Sequence, residues 1–239
     1  MKELKQCRKT MFIITFTYLF FLYCLYCYIT KSGFFDKTES IEYNNKLFSV
    51  IKDMPDKENA AKILHDVDIS IDKLKKFIYD KFTNGYILEE ERKFKGKGEI
   101  LHKIKKRLNT YSRDSLKENY PRVRKSDVSY NLNKGSTIAL CLRNYDEINQ
   151  FHEFNEILFV SIHELAHSLN CNETAVMCGN SYGHDNTFWY IFRILLENAV
   201  EAGIYKKKDY RINPVNYCSM EITYSPMFDI SLDDDKFKP

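Results

Sequence analysis

The stretch Ser161-Ile162-His163-Glu164-Leu165-Ala166-His167 decides how the rest of the chain is read. On an α-helix each residue advances about 100°, so His167 stands about 40° round from His163 and one turn along. Two imidazoles at that spacing can reach one Zn²⁺. Glu164 projects roughly 100° from His163 and about 60° from His167, beside the metal position but outside the ligand set. Leu158, Ile162, Leu165 and Leu169 form a separate apolar stripe on the opposite face. The stretch therefore predicts a core helix with one face kept for metal, His163 and His167 as ligands and Glu164 as general base.

A catalytic zinc needs a third protein ligand. His184 lies downstream in Gly183-His184-Asp185-Asn186-Thr187-Phe188-Trp189, just before a second apolar helix expected over about Thr187–Ala202. Asp185 or Asn186 can cap that helix and Gly203 can end it. The position holds His184 over the first helix. Glu173, six residues after His167, and Glu197, inside the second helix, are the rival ligands. Asn155 is a candidate cap for the motif helix.

Upstream, Thr137–Leu142 reads as a strand, fed by a turn over 129–136. A sheet edge beside such a helix can take an extended substrate as one more strand, and Thr137–Leu142 is the expected edge. Near the C-terminus, Tyr217 is a candidate hydrogen-bond donor to a reacting oxyanion.

The 239 residues carry a formal net charge of +3, a balance that by itself implies no nucleic-acid partner. The charge is unevenly spread. Residues 92–125 hold thirteen Lys or Arg against Glu99, Asp114 and Glu118. Such a block suits a polyanion, DNA or anionic lipid headgroups, or else forms a solvated helix face. Ile100, Leu101, Ile104 and Leu108 within it predict an amphipathic helix, and a longer one is expected from Asp56 through Ile78. Residues 11–29 hold no charge and follow a basic flank. Nineteen residues at 1.5 Å each span about 28 Å, near the hydrocarbon thickness of a bilayer. Bulky Tyr26 and Tyr28 stand where a cleavage site needs small residues, so an uncleaved single-pass anchor with a cytosolic N-terminus is expected. None of Cys141, Cys171, Cys178 and Cys218 forms a CxxC pair, which does not indicate a structural zinc cluster. In an oxidising compartment Cys171 and Cys178 could close a loop beside the site.

The HELAH motif, followed by the GHDxxFW segment and an apolar helix, resembles the WLM family of zinc metalloproteases. The segment Asn133-Lys134-Gly135 with Ile138–Arg143 is similar to forms of the domain in large DNA viruses. The likeness covers roughly Val128–Ile222. It implies zinc held by His163, His167 and His184 with Glu164 as base. The sixteen residues between His167 and His184 are more similar to SprT-like spacing. Both groups are associated with proteolysis of DNA-bound proteins, which would give the basic block a use.

The expected architecture is an α+β, zincin-like metalloprotease domain with an N-terminal transmembrane helix. Its parts are a basic flank (1–10), an anchor (11–29), a linker (30–55), a helical basic region (56–127) and a catalytic domain (128–239). The expected reaction is hydrolysis of peptide bonds in a protein or peptide by a zinc-activated water. A DNA-associated protease and a catalytically inactive membrane protein are the alternatives.

Overall fold

The protein's computed structural model describes residues 15–24, 38–83, 98–109, 111–120, 128–132, 135–144, 146–170 and 184–232. It divides into two compact units, Met1–Lys37 and Thr38–Pro239. In the first, residues 15–24 are helical. Ten residues rise about 15 Å, half of what a bilayer core requires. Among the described residues no helix is long and apolar enough to cross a membrane. The single-pass anchor over 11–29, and with it the membrane location, is corrected on that finding. Residues 11–14 and 25–29 lie outside the described set, as does the Asn84-Gly85 turn.

In the second unit, part of the stretch read as a linker is a hairpin. Strands β1 (Thr38–Tyr43) and β2 (Lys46–Ile51) pair antiparallel, with Tyr43 opposite Lys46. The two residues between them, Asn44 and Asn45, have φ of 51° and 58°. Asn tolerates left-handed backbone, and two such residues in succession make the turn whose twist matches a hairpin.

Helix α1 (Lys57–Thr83) follows as expected. Ala60, Leu64, Val67, Ile71, Leu74 and Ile78 recur at helical spacing and are all buried. Helix α2 (Gly98–Leu108) buries Leu101, Ile104 and Leu108. Arg107, from its last turn, donates to the Ser168 carbonyl at 3.2 Å.

The main sheet adds β3 (Leu116–Asn119), β4 (Tyr130–Leu132) and β5 (Thr137–Cys141) in the order β1-β2-β3-β5-β4. β3 runs parallel to β2 and β5, while β4 runs antiparallel to β5. Ile138 to Leu142 are each 0% exposed. A continuous apolar run of that kind belongs to a strand covered on both faces. β5 is also flanked by β3 and β4, so the edge expected at Thr137–Leu142 is instead β4. Helices α3 (Phe154–Asn170) and α4 (Asn186–Glu201) pack on each other, α1 touches both, and α3 also packs on β4 and β5. A separate hairpin, β6 (Val215–Tyr217) and β7 (Met220–Ile222), closes the described chain with short 3₁₀ turns. The unit is α+β.

A buried ion pair fixes the far end of β5. Arg143 donates from Nε to Glu118 on β3 at 2.7 Å, with both side chains 0% exposed. The second Glu118 oxygen accepts the Ile51 amide at 2.8 Å, and Arg143 also reaches the Ile148 carbonyl at 3.2 Å. Three segments thus meet on one pair whose remaining polar atoms are satisfied by backbone, the condition under which a buried pair is tolerated.

Candidate metal centre

Helix α3 opens on backbone bonds from the Glu156 and Ile157 amides to the Glu153 carbonyl, at 2.9 and 3.1 Å. Asn155, expected as its cap, faces elsewhere. Its side chain exchanges two hydrogen bonds with the Lys206 backbone, at 3.0 and 2.8 Å. The predicted stripe is buried: Leu158, Ile162, Leu165 and Leu169 are at most 2% exposed. That leaves His163 and His167 on the flank toward α4.

Helix α4 is capped by Asp185, whose Oδ1 accepts the Phe188 amide at 2.7 Å and the Asn170 side-chain amide at 3.1 Å. One carboxylate therefore ties the last residue of α3 to the start of α4. This sets His184 over the motif helix. Its Nε2 lies 3.1 Å from that of His163, which lies 3.2 Å from that of His167. Glu197 is elsewhere on α4, paired with Arg193 at 2.8 Å. Glu173 lies outside the described residues.

Three ring nitrogens that converge in this way cannot satisfy one another with protons alone. Each ring nitrogen of a neutral imidazole is either an N–H or a lone pair, so one of the three is left without a partner of its own unless a cation sits between them. Bonds of about 2.0–2.1 Å at tetrahedral angles would separate ligand nitrogens by about 3.3–3.4 Å. The 3.1 and 3.2 Å separations are close to that spacing, and all three ligand nitrogens lie within 4.8 Å of one another. Burial lowers the pKa of all three histidines. It is helped in His163 by its two histidine neighbours, and His167 is brought down to about 4. Neutral imidazole is the form that binds metal.

The rings rest on an aromatic bed. Phe188 lies 5.0 Å from His163 and 4.3 Å from His167, and Phe192 lies edge-on to His163 at 5.2 Å. Trp189 stands 4.9 Å from His184. Packing of this kind holds rotamers without offering rival polar groups.

Glu164 lines the same cavity of about 490 Å³ as the three histidines. Burial pushes its carboxyl up to about 8. A bound dication would pull in the opposite direction. One wall of the cavity is the segment 128–131, which includes the start of β4. Asn131 donates from Nδ2 to the Glu164 carbonyl at 2.6 Å and to Ser168 Oγ, and its Oδ1 accepts the Gly135 amide at 2.9 Å. Asn131 thus ties the sheet edge to the motif helix. The other wall is 220–224, from β7 through Tyr224.

Several of these groups escaped sequence reading. Val128-Ser129-Tyr130-Asn131-Leu132 alternates apolar and polar residues, a strand signal masked by the turn residues that follow. Tyr217 is buried, and its hydroxyl donates to the Cys141 carbonyl. That bond occupies the hydroxyl proton expected to serve an oxyanion. Cys141 and Cys218 form a disulfide, while Cys171 and Cys178, the pair considered from sequence, lie outside the described residues.

A family model for the WLM domain matches residues 100–212. Uncharacterized protein R325 of Acanthamoeba polyphaga mimivirus is 30% identical over 181 residues, covering 76% of this chain and 79% of that protein. Uncharacterized protein 136R of Invertebrate iridescent virus 6 is 30% identical over 98 residues, 41% of this chain and 48% of its own. Uncharacterized protein 042R of Invertebrate iridescent virus 3 is 35% identical over 92 residues, 38% of this chain and 50% of its own. The chain spans about half the length of these two iridescent-virus proteins. No solved structure matches.

Proposed function

The chain belongs to the WLM domain family, a family of metalloprotease type, and from that premise we propose that it is a zincin-like, zinc-dependent peptidase. His163, His167 and His184 would hold the metal, and Glu164 would be the general base. The observation behind this reading is the convergence of three Nε2 atoms at 3.1–3.2 Å beside a buried carboxylate. Zinc held there supplies Lewis-acid polarisation of a substrate carbonyl and lowers the pKa of water.

The chain's own groups do the rest. Glu164 takes a proton from the attacking water on its carboxylate and delivers it to the departing amine. The aromatic bed keeps the imidazoles in place and competing solvent out. β4 has a free edge among the described residues, and its backbone suits an extended peptide laid alongside it as a further strand. The substrate class is therefore an unfolded or locally opened polypeptide.

Glu164→Gln tests this reading. The amide keeps the shape but cannot serve as a base. Zinc should stay near one per chain, and turnover of an unfolded protein substrate should fall by about 10²–10⁴-fold. Turnover at the wild-type rate would remove Glu164 from the chemistry.

A second reading concerns residues 92–125, whose thirteen cations against three acids favour contact with a polyanion, DNA or anionic lipid. In that case an oligonucleotide would raise turnover at low salt and lose its effect as salt rises. An oligonucleotide without effect at any ionic strength would leave the block a solvated surface.

A further inference from the structure

Among the described residues, a second group of metal- or proton-binding side chains lies outside the histidine cluster. Cys141 ends the buried strand β5, and Cys218 sits in the tight turn between β6 and β7. They are joined by a disulfide across 77 residues of sequence. His152 lies against the bond, with Nε2 3.3 Å from Cys218 Sγ and accepting the Cys218 amide at 2.9 Å. Its ring stacks on Tyr217 at 4.6 Å. Cys218 adopts φ of 56°, a left-handed backbone that a residue with a side chain holds only where its surroundings impose it.

The five residues that begin two positions after Cys218, Met220 to Tyr224, all line the metal cavity. The disulfide therefore fastens one cavity wall to the central sheet. We infer that Cys141 and Cys218 are a reversible dithiol–disulfide couple with His152 as its base, whose redox state sets how firmly the 220–224 wall is held.

The two sulfurs have different parts. Cys218 is 7% exposed and Cys141 0%, so an external thiolate meets Cys218 first. Attack there forms a mixed disulfide on Cys218 and releases Cys141 as thiolate. The second thiol of a dithiol reductant then displaces Cys218. Both cysteines end as thiols, the reductant ends as its own disulfide, and two electrons and two protons have moved to the protein. In reverse, His152 Nε2 releases the Cys218 amide and takes the Cys218 thiol proton. The thiolate attacks a disulfide oxidant and expels one of its thiolates, and Cys141 resolves the mixed disulfide, its proton passing to the second departing thiolate. Burial lowers the His152 pKa, which leaves it neutral and able to accept that proton at pH 7. After reduction the hairpin is still held by Tyr217 on the Cys141 carbonyl. The wall loosens and the fold persists.

The test uses the full chain and needs no peptidase substrate. The protein is equilibrated with dithiothreitol at graded reduced-to-oxidised ratios, free thiols are alkylated, and peptides are mapped by mass spectrometry. The Cys141–Cys218 linked pair should disappear in the reducing buffers without unfolding, and return in the oxidising ones. Backbone hydrogen exchange over 219–224 should quicken in the reduced protein while α1 is unchanged. His152→Asn, which keeps an acceptor for the Cys218 amide, should slow reformation of the bond by about tenfold or more. Three results would each overturn the inference: no linked pair in oxidising buffer, a pair that resists dithiothreitol until the chain unfolds, or unchanged exchange over 219–224. So would a second zinc taken up by the reduced chain and lost in Cys141→Ser, because the cluster would then be a metal site.

Discussion

The cavity has two walls, fastened by opposite means. The β4 wall is tied to the motif helix itself, through Asn131 on the Glu164 carbonyl and on Ser168. The tie is a set of hydrogen bonds, and it lands on the two residues that directly follow the motif histidines. The β7 wall is tied to the sheet, through a covalent bond from Cys218 to Cys141 and the Tyr217 hydroxyl on the Cys141 carbonyl. It never touches the motif helix through those bonds. The first tie sets where a substrate strand would lie relative to Glu164. The second sets only how far the opposite wall stands off. Losing one should disturb alignment, and losing the other should disturb stability and breathing.

The largest expected effect breaks the second tie. Closing a 77-residue loop restrains the unfolded chain by about 4 kcal/mol in the chain-entropy description. Cys141→Ser with Cys218→Ser should lower the denaturation midpoint by a corresponding amount in oxidising buffer and leave metal content near one per chain. Equal midpoints for variant and wild type in oxidising buffer would show that the bond does not hold the wall.

Acid probes the centre between the walls. His167 falls to about 4 in the folded, metal-free chain, against about 6.5 unfolded. Below about 6.5 the unfolded chain takes up protons that the native chain refuses, so stability drops as pH falls through that window. His163 and His184 shift in the same direction and add to it, while Glu164, pushed up to about 8, holds a proton in the folded chain and opposes it. A denaturation series of metal-free Glu164→Gln protein from pH 7.5 to pH 4.5, from which the opposing group is gone, should show the decline, and adding His167→Gln should make it shallower. A flat profile in Glu164→Gln would mean the histidines are not buried as described.

Asn131→Ala breaks the first tie. It leaves the Glu164 carbonyl of the helix and the Gly135 amide of the β4–β5 connection without their side-chain partner, a loss of about 1–3 kcal/mol. KM for an extended peptide should rise more than kcat falls, with zinc retained. If kcat alone falls, Asn131 acts on Glu164 and not on the strand.

Gly135→Ala should give the smallest effect. Gly135 has φ of 91°, and an added Cβ would meet Ser168 Oγ at 2.8 Å. The strain is of order 1–3 kcal/mol, and relaxation of the Ser168 side chain would take up part of it. Ser168→Ala removes the clash and should restore some of the loss in the double variant. Additive losses would place the cost in the backbone alone.

Much of the centre was legible because its signals are local. The spacing of His163, Glu164 and His167 and the apolar stripe behind them depend only on helical geometry. The same holds for α1, where seven apolar positions from Ala60 to Ile78 repeat over about five turns. The hairpin β1–β2 was equally local, and its Asn44-Asn45 turn went unread inside a polar stretch. The run 11–29 misled for a related reason. Absence of charge and a length of nineteen residues are necessary for a span, but the described helix within it covers only residues 15–24.

The sequence by itself determined which residues could meet within a few turns of one helix, since backbone periodicity fixes their directions whatever the rest of the chain does. Tertiary structure alone decided the pairings across distance. It brought His184, and not Glu197, over the motif helix, because Asp185 binds the end of α3 to the head of α4. It made β4 an open edge by pairing β5 with β3 on one side and β4 on the other, and it joined Cys141 to Cys218. Each of these contacts closes a long loop at an entropic cost that packing elsewhere must offset. No local pattern records whether that cost is met.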